Sequence, residues 1–144
     1  MLLIKNGLIN DAVNPVPYKG DILVDEGKIV KVAADIAAEN GVEVIDAEGL
    51  SVYPGFIDAH SHIGIAEEKV SVLGDSCNEG TNPVTPTMRA IDAINPMDPA
   101  FHDAIKAGIT SVMVGPGSSN VVGGQFVFMK TQGRCVDNMI VKSP

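Results

Sequence analysis

The sequence predicts an α/β protein: a small β-sheet module over residues 1–52, followed by the start of a parallel α/β layer over residues 53–144. Three observations predict it. Short apolar runs separated by turn dipeptides fill the first fifty residues. Pro54-Gly55 marks a change of pattern. Beyond it, a capped helix leads directly into a β-branched run, the strand–helix–strand rhythm of a parallel sheet.

Leu2-Leu3-Ile4 and Leu8-Ile9 flank Asn6-Gly7, a pair that favours the positive φ of hairpin turns, so a hairpin is expected there. Residues 21–24 and 28–32 flank Glu26-Gly27, a second hairpin. Residues 42–46 alternate apolar and polar, as a half-buried strand does. Glu48-Gly49 turns the chain into Leu50-Ser51-Val52. Residues 56–62 read as a strand ending in polar side chains. Residues 64–97 are irregular, with a short helix expected at 88–94. Asp98-Pro99 opens a helix with Asp as N-cap and Pro at the first position, and Gly108 closes it. Residues 109–114 form a short strand buried on both faces. Two further strands are expected at 125–130 and 139–142, joined as a hairpin about Gly133. The apolar strand that runs into Ser143-Pro144 is expected to reflect truncation before the fold is complete.

Composition excludes several function classes. Lys plus Arg is 10 and Asp plus Glu is 18, a net charge of −8, which leaves no basic footprint for nucleic acid or an anionic membrane. The first apolar run is too short for a signal peptide, and no stretch approaches the ~20 apolar residues of a membrane span. A cytoplasmic protein is expected. Cys77 and Cys135 stand at no motif spacing and read as reduced thiols without a nucleophilic role.

His60 and His62 are the chemical signal. Side chains two apart on a strand share a face, about 6.6 Å apart along the backbone. Two imidazoles so placed can both direct a ring nitrogen to one metal ion at ~2.0–2.1 Å. The competing reading is a chance pairing at a strand end. Asp58 lies on the same face two residues earlier, where it can hydrogen-bond a ligand histidine, bind metal itself, or simply end the strand.

The run Tyr53-Pro54-Gly55-Phe56-Ile57-Asp58-Ala59-His60-Ser61-His62 resembles the strand-1 signature of the metal-dependent amidohydrolase superfamily, in which an Asp-x-His-x-His ending places two histidines on the metal. Residues 1–52 are similar to the segment that precedes the barrel in that family, including the Glu26-Gly27 hairpin before Lys28-Ile29-Val30. Residues 82–125, with Thr85-Pro86, Ala90-Ile91-Asp92-Ala93-Ile94-Asn95-Pro96 and Gly123-Gly124-Gln125, resemble a bacterial branch related to imidazolonepropionase. The resemblance implies the N-terminal half of a small β-sandwich, then the first two or three βα units of a TIM-like (β/α)8 barrel. It implies hydrolysis of a carbon–nitrogen bond other than a peptide bond, in a cyclic amide or related small molecule, by metal-activated water. His60 and His62 would be metal ligands, Asp58 would stand behind them, and zinc is the expected metal.

The family completes its metal site with groups from later strands, among them further histidines, a carboxylated lysine and an aspartate that serves as general base. None can be placed here, and a barrel takes ~250 residues. The chain alone is therefore expected to be catalytically silent, with the missing barrel remainder or a second copy as its partner. A non-catalytic fragment or binding module is the alternative. A cupin-type metal protein is a further one, with Glu67 as its distinguishing ligand. His102 is expected on the solvent side of its helix. Residues 115–120 are expected to line a pocket or form a flexible loop. Residues 123–125 offer backbone N–H groups for a substrate oxygen, or simply turn the chain.

Overall fold

Leu2–Ile9 forms one continuous strand, β1, where the Asn6-Gly7 pair suggests a hairpin. The computed structural model describes residues 1–68 and 70–144, and the chain divides into two units, Met1–Pro54 and Gly55–Pro144. In the first, β2 (Tyr18–Asp25) runs antiparallel to β1, and β3 (Lys28–Ala33) antiparallel to β2. Strands β4 (Glu43–Asp46) and β5 (Ser51–Val52) both pair with β1 in parallel. The hairpin expected at Glu26-Gly27 is present, with φ of 45° and 74° at its two central residues.

The expected turn at Asn6-Gly7 is instead a bulge. Ile4 pairs with Ile22 and Gly7 with Gly20, so Lys5 and Asn6 together oppose Asp21. Asn6 does adopt the positive φ (61°) that its identity favours. The chain continues because the Asn6 N–H, displaced from the ladder, finds the Asp21 carboxylate at 2.8 Å. Asp21 is 1% exposed. It also accepts the Ile36 N–H at 2.9 Å and pairs with the Lys5 ammonium at 3.1 Å. Burial raises the cost of its charge, but the two backbone donors and Lys5 outweigh it and hold the carboxyl below its usual range. Around this group Leu3, Ile9, Ile22, Ile36 and Ala47 are buried.

The second unit begins with β6 (Phe56–Ser61) and reaches β7 (Ile109–Val114) through helix α1 (Pro99–Lys106). Strands β6 and β7 pair in parallel, as the strand–helix–strand pattern requires. Asp98 caps α1 by accepting the Ala100 N–H at 2.8 Å, and the second carboxylate oxygen accepts the Glu68 N–H at 3.2 Å. In place of the helix expected at 88–94 there is a single 3₁₀ turn, Ala90–Asp92, because Ala90 donates instead to the Gln125 carbonyl at 3.0 Å.

Strands β8 (Val127–Lys130) and β9 (Ile140–Lys142) complete the sheet in the order β6-β7-β8-β9, with the short helix α2 (Val136–Met139) between them. Both β7–β8 and β8–β9 are antiparallel. The expected succession of two or three βα units is therefore replaced by one βαβ unit joined to two antiparallel strands. The link between β7 and β8 is punctuated by Gly115, Pro116, Gly117, Gly123 and Gly124 and forms no helix, so the chain returns beside β7 instead of crossing over. An apolar core of Ile65, Ala90, Ile94, Phe101, Val112, Val114, Val127, Met129 and Met139 packs these elements. The Phe101 ring, which anchors α1 to this core, contributes on the order of 2–3 kcal/mol by its burial.

Candidate metal centre

Strand β6 is exposed from Phe56 to His60 and half-buried at Ser61. Its C-terminal end delivers His60 and His62 to one place. Their ring centroids lie 5.2 Å apart, with the planes at 87°. Two imidazoles bound through ring nitrogens to one tetrahedral zinc ion hold their centroids about 5 Å apart, so the pair has the separation of two corners of such a site.

Each histidine is fixed by different neighbours. The Nδ1 atom of His62 lies 2.7 Å from the Gly115 carbonyl oxygen, just past the end of β7. A carbonyl oxygen can only accept, so Nδ1 donates in this contact, and in the neutral ring Nε2 then keeps the lone pair a metal needs. The His62 carbonyl in turn accepts the N–H groups of Ile65 and Ala66, both at 3.0 Å. The His60 ring packs on Phe126, centroids 5.6 Å apart. Asp58 accepts the backbone N–H of His60 at 3.1 Å, which steadies the strand that carries the two histidines.

The remaining candidates lie elsewhere. Glu67 accepts the Asn95 side-chain amide at 2.6 Å. His102 stands on the solvent side of α1, its side chain 71% exposed, beside Asp103. Cys77 is buried and Cys135 exposed, and both are free thiols. Burial, then the neighbouring Asp75, pushes the Cys77 thiol up, which keeps it protonated and poorly nucleophilic. A cavity of about 250 Å³ lies among Ile65, Cys77, Asn78, Glu79, Arg89 and Pro116. Arg89 at its wall is held in a two-pronged pair by Asp92.

Residues 115–120 form a tethered loop. Gly117 donates to the Cys77 carbonyl at 2.8 Å, and the Asn120 amide donates to the carbonyls of Glu79 and Asn82 at 2.8 and 3.0 Å. The Gln125 N–H, a candidate for substrate binding, is taken by the Met88 carbonyl at 2.8 Å. The role of Phe126 carries no signal in the sequence, because an aromatic residue next to a strand reads as core. Gly115 stands within the glycine-rich run after β7, but its contact with His62 spans fifty-three residues.

Among the described residues, no group of three or more His, Cys, Asp or Glu side chains could hold a metal ion. The donor set present, two imidazoles of which one is oriented by a backbone acceptor, is of the type that suits a borderline-soft divalent ion and would supply part of its coordination. Among the described residues, no helix is long and apolar enough to cross a membrane.

Known proteins resemble the chain over most of its length. A crystal structure of an amidohydrolase from Thermotoga maritima superposes on 99% of the chain with a TM-score of 0.92 at 44% identity. The amidohydrolase tasK of Hapsidospora irregularis is 36% identical over 116 residues, 78% of the chain, and a dihydroorotase of Clostridium acetobutylicum is 32% identical over 144 positions, 90% of the chain. No protein-family model matches. The chain covers 37% of the Thermotoga chain, 12% of the tasK protein and 32% of the dihydroorotase, so it spans about a third or less of the length of these relatives. The parallel β6–β7 pair bridged by α1 is foreign to an antiparallel jelly roll, which sets the cupin alternative aside. With an aligned relative on nearly every residue and an Asp-x-His-x-His run at the end of β6, the chain belongs to the metal-dependent amidohydrolase superfamily.

Proposed function

We propose that this chain carries the first part of a metal-dependent hydrolase of carbon–nitrogen bonds in cyclic amides, imides or related small molecules. The observation that carries this reading is the convergence of the His60 and His62 rings, 5.2 Å apart, with His62 turned by the Gly115 carbonyl so that Nε2 is free to ligate. The relatives named dihydroorotase and amidohydrolase support the bond class. Residues 1–52 are read as part of a composite β-sandwich and residues 53–144 as the start of the hydrolase barrel. Zinc is the expected ion. When bound, it supplies Lewis acidity toward a carbonyl and brings the pKa of water to about 7.

His60 and His62 hold the ion, and Asp58 steadies the strand that carries them. The general base and the remaining ligands come from a segment or partner that supplies later barrel strands. The exposed strand β6, with Ile57 64% exposed, suits such a neighbour. As no group of three or more His, Cys, Asp or Glu side chains could hold a metal ion among the described residues, the 144-residue chain by itself is catalytically silent, and detectable turnover of a cyclic amide by the purified, zinc-loaded chain would contradict this.

Zinc titration by calorimetry tests the site. The wild-type chain binds one ion, and His60→Ala or His62→Ala weakens it at least about tenfold, roughly 1.4 kcal/mol. Equal affinity in wild type and both variants would remove the site, and with it the enzymatic reading. Glu67→Ala leaves affinity unchanged.

A further inference from the structure

We propose that Phe126 and Gly115 form a clamp that sets the orientation of both histidines, with Phe126 as a positioning residue. The inference rests on the metal reading of His60 and His62 given above. Phe126 lies just before β8, far in sequence from β6, yet its ring contacts His60 and the glycine whose carbonyl holds His62. It packs on the His60 imidazole at 5.6 Å between centroids, the planes tilted by 53°. It also covers Gly115 so closely that a Cβ there would collide with the Phe126 ring. The Gly115 carbonyl is the group that holds His62 Nδ1 at 2.7 Å, and the Gly115 N–H donates to the Ser61 carbonyl at 3.1 Å.

One aromatic ring therefore restrains His60 directly and His62 through a peptide. Gly115 is required at this point because the ring occupies the space of a side chain. A ring pressed on the peptide limits how far its carbonyl can swing, and that carbonyl decides which His62 nitrogen is free. An imidazole on an exposed strand end otherwise samples several rotamers and both tautomers, and ordering it at the moment of metal binding costs affinity.

The test uses the whole chain and two readouts. In the metal-free protein, long-range ¹H–¹⁵N correlation spectra report the His62 tautomer. The Nδ1–H form dominates in wild type and in Phe126→Tyr, which keeps the ring. Phe126→Leu and Phe126→Ala lose that dominance. Co²⁺ titration then reads the consequence: affinity falls about tenfold in Phe126→Leu and stays within about twofold in Phe126→Tyr. Leu fills most of the ring's volume, and an unchanged β7–β8 amide spectrum confirms that the variant is folded. If Phe126→Leu is folded and leaves the tautomer as in wild type, the clamp is wrong even if the histidines bind metal. If the tautomer shifts as expected but wild type and His60→Ala bind Co²⁺ equally, the clamp stands and the metal reading fails.

Discussion

The two units are built on opposite principles. Met1–Pro54 is organised around a buried charge: the Asp21 carboxylate, 1% exposed, ties the β1 bulge, the Ile36 backbone and Lys5 together. Gly55–Pro144 is organised around apolar contact, with Val114, Val127, Met129 and Met139 at 0–1% exposure. His60 and His62 sit at the C-terminal end of β6, outside that core. A carboxylate can define one bulge with directional bonds, but it must be paired and hydrogen-bonded to be buried at all. An apolar core demands only shape and volume, which leaves the strand ends free to carry chemistry. The first unit buries a carboxylate within its sheet, whereas the second leaves two imidazoles together at the end of a strand.

Substitutions that separate charge from packing break this comparison most directly. Met129→Ala opens a cavity in the second unit and lowers its stability by about 4 kcal/mol at any pH. Asp21→Ala leaves the Asn6 and Ile36 N–H groups without their acceptor and Lys5 with Asp35 and the Ile36 carbonyl, and costs the first unit about 3 kcal/mol near neutrality. The pH dependence distinguishes the two. The folded Asp21 carboxyl sits below its ordinary value, so its stabilisation is complete above the ordinary carboxylate range and disappears as pH falls through the lowered folded value. The difference between wild type and Asp21→Ala therefore shrinks in acid, while the Met129→Ala difference does not. Residue-resolved hydrogen exchange in the whole chain measures both. A Met129→Ala effect that vanished in acid, or an Asp21→Ala effect that did not, would erase the distinction.

The same contrast explains what the sequence could and could not reveal. The Glu26-Gly27 turn, the Asp98 cap and the Ile109–Val114 strand are encoded within a few residues, and local chemistry finds them. The His60/His62 pair is legible for the same reason, because period two on a strand puts both on one face. Asn6-Gly7 misleads because its local preference, a positive φ, is satisfied equally by a turn or by a bulge. The choice belongs to Asp21, fifteen residues away. The antiparallel return of β8 pairs residues thirteen to nineteen apart, and the contact of Gly115 with His62 spans fifty-three. Local signals name the residue types at the site. The groups that touch them, the Gly115 carbonyl and the Phe126 ring, lie beside the ends of other strands and leave no mark in the run Asp58 to His62.

The smallest effect concerns glycine, and it sharpens the comparison because one substitution acts through different physics in each unit. Gly27 has φ of 74° and open space where a Cβ would stand. Gly27→Ala therefore costs only the backbone penalty of a left-handed residue, about 1 kcal/mol. Gly27→Asn recovers roughly half of that, since Asn tolerates this conformation. Gly115 needs no unusual φ but faces the Phe126 ring. There Ala and Asn should rank by size, with Asn worse than Ala, and shortening the facing side chain with Phe126→Leu should relieve the penalty of Gly115→Ala. Thermal unfolding of the five single variants, Phe126→Leu among them, and the Gly115→Ala/Phe126→Leu double variant decides it. If Asn were the better replacement at Gly115 as well, backbone conformation and not the ring would govern that position.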